Sequence, residues 1–259
     1  MQEFFQQDLH GATFRQVFLQ GAKFHEVDLS DADMREVRMT GLRVRGALLE
    51  GVQLSGDFET LIVNGVNVGP LIEAELNRRD PEREILYRED ADSFRQGWAI
   101  MEHRWNDTIE RARALPAQLL HESVDGEWSF LQSLRHVSFV VAAWIEHAAM
   151  GRPAPWHPLD LPWDSAPEME GFTPDRDARP SLDEVLIPFR ERQRTVRHFL
   201  QDLSDDDLER TVTTDGTSWP RVEDFPVRGC IFVTVTETYE HHQFATRDLA
   251  ILTADLPED

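Results

Sequence analysis

The chain has 259 residues, enough for one large domain or two small ones with an ample core. Its 48 acidic against 26 basic side chains give a formal charge of −22, which disfavours nonspecific binding to nucleic acid or to an anionic membrane. Cys230 is the only cysteine and Lys23 the only lysine, which excludes an intrachain disulfide, a cysteine zinc cluster and, in the C-terminal half, Schiff-base chemistry.

The N-terminus, MQEFFQQDLHG, has neither a basic region nor a long apolar run, and the longest apolar stretch, Val137 to Ile145, is far short of a membrane span. The expectation is a cytoplasmic protein without a membrane partner. From residue 9 the sequence repeats every five residues: Leu9, Phe14, Leu19, Phe24, Leu29, Met34, Met39, Val44, Leu49 and Leu54. Two positions before most of these sits a smaller apolar residue, from Ala12 and Val17 to Ala47 and Val52. A period of five fits neither an α-helix nor a flat strand. It fits a square coil of about 20 residues per turn, each side directing two side chains inward, with coils stacked at roughly the strand spacing of 4.8 Å.

The register resembles the pentapeptide-repeat family, over about residues 4–58, although Val often replaces the family's Ala. That resemblance implies a right-handed quadrilateral β-helix. A stack of about two and a half coils leaves open ends and calls for a cap from the domain next to it in the chain. No catalytic constellation is visible in it: His10 and His25 stand alone at outward positions. Its expected role is a scaffold, or a docking surface for a protein partner or a second copy of the chain.

After Leu61-Ile62-Val63, read as a last strand, Asn64-Gly65 marks a turn and Pro70 opens a short helix to Arg79. The charged stretch Pro81 to Asp92 reads as a linker. The domains expected are residues 1–70, a connecting segment 71–90, and a helical domain 91–259. Four long helices are predicted in the last. The first covers about Ser93 to Ala114, with Asp92 as its cap and an inward stripe of Phe94, Trp98, Met101, Trp105, Ile109 and Ala112. The second runs from about Phe130 to Met150. A Pro- and Trp-rich crossover, 151–180, leads to a third that opens on a capping box at Ser181 and Glu184 and ends near Leu203. Residues 211–226 read as a loop. Four amphipathic helices with one long crossover suggest a four-helix bundle.

The last helix, Val227 to Leu252, starts after Pro226, with Asp224 as a candidate cap. Cys230, Thr234, Glu237 and His241 share one face, and Val233, Phe244 and Leu252 mark a neighbouring stripe. A carboxylate and an imidazole four apart on an inward face make half of a metal site. The same spacing is met by Thr238 with His242, but a Thr hydroxyl is a poor ligand. Cys230 lies about 10 Å along the axis from Glu237, too far for the same ion, and reads as a core residue. His103, His121, His147 and His198 read as surface or packing residues.

The tracts EWSFLQSLRHVSFV, PWHPLDLP, RPSLDEVL and TETYEHHQFATRDLAIL together resemble the DinB-like metalloprotein family, over about residues 91–255. The resemblance implies a divalent metal held inside the bundle by one His of the second helix, His136, and by two residues four apart on the last. Here these are Glu237 and His241, with His242 as the alternative, where the family usually has two histidines. The ion (zinc, nickel, iron or manganese) is left open. So is the reaction: transfer of a small thiol such as mycothiol to an electrophilic substrate, or hydrolysis. His157, in the crossover, is a candidate for the substrate pocket. The competing expectation is a non-catalytic, metal-stabilised interaction module.

Overall fold

The computed structural model describes residues 4–35, 37–56, 58, 60–214, 216, 218–221 and 223–254. The chain divides into two compact units, the first ending at Gly56.

In the first unit the period of five is written in the backbone. Every fifth residue from Gln6 to Gly56 has a positive φ, apart from position 36, which lies outside the described residues. Alternate corners close with a turn bond, as in Ala12 N–H to Leu9 O and Ala22 N–H to Leu19 O. The inward burial predicted for the repeat is not found. Leu9 through Leu54 remain 42–65% exposed, and residues 4–56 form no strand among the described residues. Corners are local and follow from each residue's own φ. Burial needs coil-to-coil ladders, which are not local.

The second unit begins with a hairpin rather than a closing coil. Strand β1 (Ile62–Val63) pairs antiparallel with β2 (Val66–Asn67). Asn64 and Gly65, both at positive φ, form the two-residue turn that such hairpins prefer. Helix α1 (Gly69–Arg79) and the short α2 (Arg83–Leu86) come next. The segment read as a linker is in fact packed: Leu86 is buried, and Arg104 donates to both oxygens of Asp80 at 2.7 and 2.8 Å. Sequence marks this stretch as charged but cannot show that the charges are paired.

Helix α3 (Ala91–Arg113) is capped by Asp90, not Asp92. Asp90 is extended and accepts from Ser93 N–H at 2.8 Å, whereas Asp92 lies inside the first turn and pairs with Arg95. Helix α4 (Phe130–Val141) opens on a Ser129/Gln132 capping box and continues as a π-helical segment, Ala142–Ala149. A continuous apolar run carries no period, which is why the widening was not legible. Helix α5 (Leu182–Gln201) has the Ser181/Glu184 box, and α6 (Asp205–Leu208) is a single capped turn. The stretch expected to be a loop contains β3 (Thr211–Thr213) paired antiparallel with β4 (Asp224–Pro226). Asp224 therefore does not cap α7 (Val227–Thr253); it accepts from Thr213 Oγ1 at 2.8 Å within the hairpin.

Helices α3 and α4 each pack against both α5 and α7. Trp105 fills the middle, with no exposed surface, and its indole N–H reaches Thr238 O at 3.1 Å. Burying an aliphatic or aromatic side chain of this kind stabilises by about 1.5–3 kcal/mol. The buried residues of α7 include Cys230 and Thr234, as expected, and Ile231, Val235, Thr238, Tyr239, His242, Ala245 and Leu249, whereas Phe244, in the stripe expected from sequence, is exposed. Among the described residues no helix is long and apolar enough to cross a membrane.

Candidate metal centre

Two packed helices supply the site. His136 lies in the second turn of α4, whose register is set by the Ser129 capping box. Glu237 and His241 lie one turn apart on α7, which packs against α4. One ligand atom from each residue lies within 4.8 Å of the other two. Glu237 Oε2 is 3.4 Å from His241 Nε2 and 3.9 Å from His136 Nε2.

His136 is the most constrained of the three. Its Nδ1 lies 2.8 Å from the carbonyl oxygen of Leu161, in the crossover. A carbonyl only accepts, so Nδ1 carries the proton and Nε2 keeps its lone pair for the other two side chains. Burial holds the His136 imidazole well below its ordinary pKa, with the neighbouring His241 adding to the effect and the Leu161 carbonyl opposing it. Neutral imidazole is the form that ligates.

The backbone at Leu161 is tied to the residue beside His136, whose carbonyl accepts from Leu161 N–H at 3.3 Å. Arg135 is buried and donates through Nε to Leu159 O at 2.7 Å, through Nη2 to Asp175 O at 2.5 Å and through Nη1 to Ala178 O at 3.4 Å. The crossover is thus tied to α4 on both sides of its contact with His136. Trp128 and Phe139 flank His136, at ring-centroid distances of 4.4 and 6.0 Å. The group opens to solvent at Glu237, whose side chain is 41% exposed against 8% for His136 and 15% for His241.

Residues 100–245, more than half of the chain, match the family model of the DinB superfamily, and residues 8–41 match pentapeptide repeats in eight copies. The chain belongs to the DinB superfamily. No curated protein and no solved structure matches it.

In this DinB-superfamily chain the sequence-predicted residues separate clearly. His136, Glu237 and His241 come together, while His242 does not join them. Its Nε2 contacts Thr108 Oγ1 at 3.0 Å and Arg104 O at 3.3 Å, edge-on to Trp105, and burial pushes its imidazole down to about 4. One residue along a helix turns a side chain by about 100°, which sends His241 toward α4 and His242 toward α3. His157 Nδ1 accepts from Leu159 N–H at 3.1 Å and so braces its own turn of the crossover. Cys230 is wholly buried beside Ala148 and Ala149.

Three features of the site were not read from the sequence as functional. Arg135 looks like a surface charge until its three carbonyl partners are seen. Leu161 contributes only its backbone. Trp128 belongs to a tract that carried the family resemblance, but nothing in one dimension places it over two imidazoles.

The donor set fits a divalent ion. Ligand atoms about 2.0–2.2 Å from a tetrahedral ion stand about 3.4 Å apart, which is the separation of Glu237 Oε2 from His241 Nε2, while the 3.9 Å to His136 Nε2 is wider. Two imidazole nitrogens and one carboxylate are three donors, fewer than the four of a closed structural site.

Proposed function

We propose that the helical unit is a DinB-type four-helix bundle that binds a divalent metal through His136, Glu237 and His241, and that it is an enzyme. The observation that carries this reading is the convergence of the three donors, with the far nitrogen of His136 already engaged by the Leu161 carbonyl. A bound divalent ion supplies a Lewis acid that lowers the pKa of a thiol or water placed beside it.

The chain's own residues do the rest. His136 presents a neutral, pre-oriented nitrogen. Glu237 supplies negative charge and lies at the solvent-facing side, where a substrate would approach. The crossover, tied down by Arg135, screens His136 from water. The reaction proposed is transfer of a low-molecular-weight thiol of the mycothiol type. The thiol gives up its proton to solvent water, its sulfur forms a bond to an electrophilic carbon, and the leaving group departs with the electron pair of the bond that breaks and takes up a proton from water.

For the first unit the proposal is a short quadrilateral β-helix that serves as a docking surface for a protein partner. Phe18 and Leu48, which lie between the inward positions of the repeat and are 90% and 91% exposed, support the docking role.

The test is the metal content of the purified, untagged protein after incubation with zinc, nickel, iron or manganese, beside His136→Ala, Glu237→Ala and His241→Ala. Near-stoichiometric metal in the wild type and at least a tenfold weaker hold in each variant supports the reading. No metal in the wild type overturns it. Metal-dependent consumption of thiol with an electrophile then separates transfer from hydrolysis.

A further inference from the structure

The two imidazoles of the trio are held in different ways. His136 has the usual arrangement, its second nitrogen bound to a backbone carbonyl. Among the described residues His241 has no hydrogen-bond partner, and its polar neighbours are the other two donors, Glu237 and His136. Something else must fix the plane of that ring, because an imidazole free to rotate about its side-chain torsions presents its lone pair in many directions.

Trp128 is placed to do this. Its indole stacks on His241 with an interplanar angle of 18° and a centroid separation of 5.5 Å. The same indole lies 4.4 Å from the His136 ring, and the two imidazoles are 4.6 Å apart. One aromatic plane therefore contacts both histidines. His241 also meets Phe244, edge to face, at 6.1 Å and 82°.

Trp128 is itself well anchored. It immediately precedes Ser129, whose side chain caps α4 and whose own N–H is bound by Gln132 at 2.9 Å. The backbone just before it turns through Asp125 and Gly126, both at positive φ. Its position is thus fixed to the same helix end that sets the register of His136.

We infer that Trp128 is a positioning residue of this site, which holds His241, and with it the pair of imidazoles, in ligand geometry before an ion arrives. The inference rests on the metal reading above. In a water-facing site, stacking has an advantage over a second hydrogen bond: it fixes the ring plane without placing another acceptor close to Glu237. Loss of a group that orients a ligand typically weakens metal binding about 10–100-fold. Trp128→Ala is therefore expected to weaken binding about tenfold or more. Trp128→Phe retains an aromatic face and is expected to stay within about threefold of wild type.

The experiment is a titration with cobalt(II) against a competing chelator, read by visible absorption, on wild type, Trp128→Ala and Trp128→Phe. Proton–carbon NMR of the histidine rings is recorded on the same proteins without metal. Supporting results are weak cobalt binding with an altered spectrum in Trp128→Ala, recovery in Trp128→Phe, and loss of the ring-current shift of His241 in metal-free Trp128→Ala. Cobalt binding by Trp128→Ala within threefold of wild type overturns the role of Trp128 and leaves the metal site standing. Failure of the wild type itself to bind overturns the metal reading and this inference together. Circular dichroism melts monitor folding; if Trp128→Ala does not fold, Trp128→Leu, which fills volume without a flat face, takes its place and must bind as weakly.

Discussion

Replacing Arg135 by Met isolates the link between the crossover and the site. The guanidinium makes two short charge-assisted bonds, to Leu159 O at 2.7 Å and Asp175 O at 2.5 Å, and a long one to Ala178 O at 3.4 Å. A hydrogen bond from a charged donor contributes about 1.5–3 kcal/mol, so the two short bonds together supply about 3–6 kcal/mol. Removing a buried charge returns part of its desolvation cost, but the carbonyls remain and lose their donor. The net loss expected is about 2–4 kcal/mol. Urea denaturation followed by circular dichroism measures it; with a slope near 3 kcal/mol per M, the midpoint falls by about 1 M. Arg135→Lys, a point donor that cannot span all three carbonyls, should fall between the two. Limited proteolysis should cut the variant within residues 151–180 before the wild type. A loss below about 0.5 kcal/mol with unchanged proteolysis would refute the idea that Arg135 fastens the crossover.

Three further outcomes are expected, besides those tied to the metal ligands and Trp128. Asp160 is fully buried between His157 N–H at 2.8 Å and Arg192 Nη2 at 3.3 Å, and burial raises its carboxyl pKa to about 7. The folded chain then keeps a proton that the unfolded chain loses near about pH 4, so this residue's contribution to stability falls as pH rises from about 4 to 7 and is flat above. The stability difference between Asp160→Asn and wild type, measured by urea titration across that range, should shift in favour of the variant by a few kcal/mol. A difference that does not change with pH would contradict this. Cys230 is wholly buried, and burial pushes its thiol up to about 12. A thiol reagent should therefore label the native protein no faster than it unfolds and label the urea-unfolded chain at once. Rapid native labelling would show that the α7 packing opens locally. Within the core, Trp105→Ala should cost about 3–5 kcal/mol by thermal or urea unfolding, since the ring is unexposed and contacts Phe130, Phe189 and His242. A cost under about 1 kcal/mol would contradict that.

What the sequence could determine was whatever repeats along the chain. The inward stripe of α3, from Phe94 to Ala112, is a 3.6-residue pattern and is the stripe that is buried. The Ser181/Glu184 box is a local signal and starts α5 where it was read. Glu237 and His241 share a face because four residues are about one helical turn, and the period of five in the repeats reappears, among the described residues, as a backbone corner at every fifth position. Tertiary structure decided what depends on a neighbouring element. It turned His241 toward α4 and His242 into the core beside Trp105 and Thr108, a choice between adjacent residues that depends on how α7 is rotated against its neighbours. It made the stretch before α7 a hairpin, so that Asp224 pairs with Thr213 instead of capping the helix. It left the repeat's apolar residues half exposed, because their burial depends on stacking and not on spacing. It also drew Trp128, Arg135 and the Leu161 carbonyl around His136, contacts that join segments up to 43 residues apart and have no counterpart in any one-dimensional pattern.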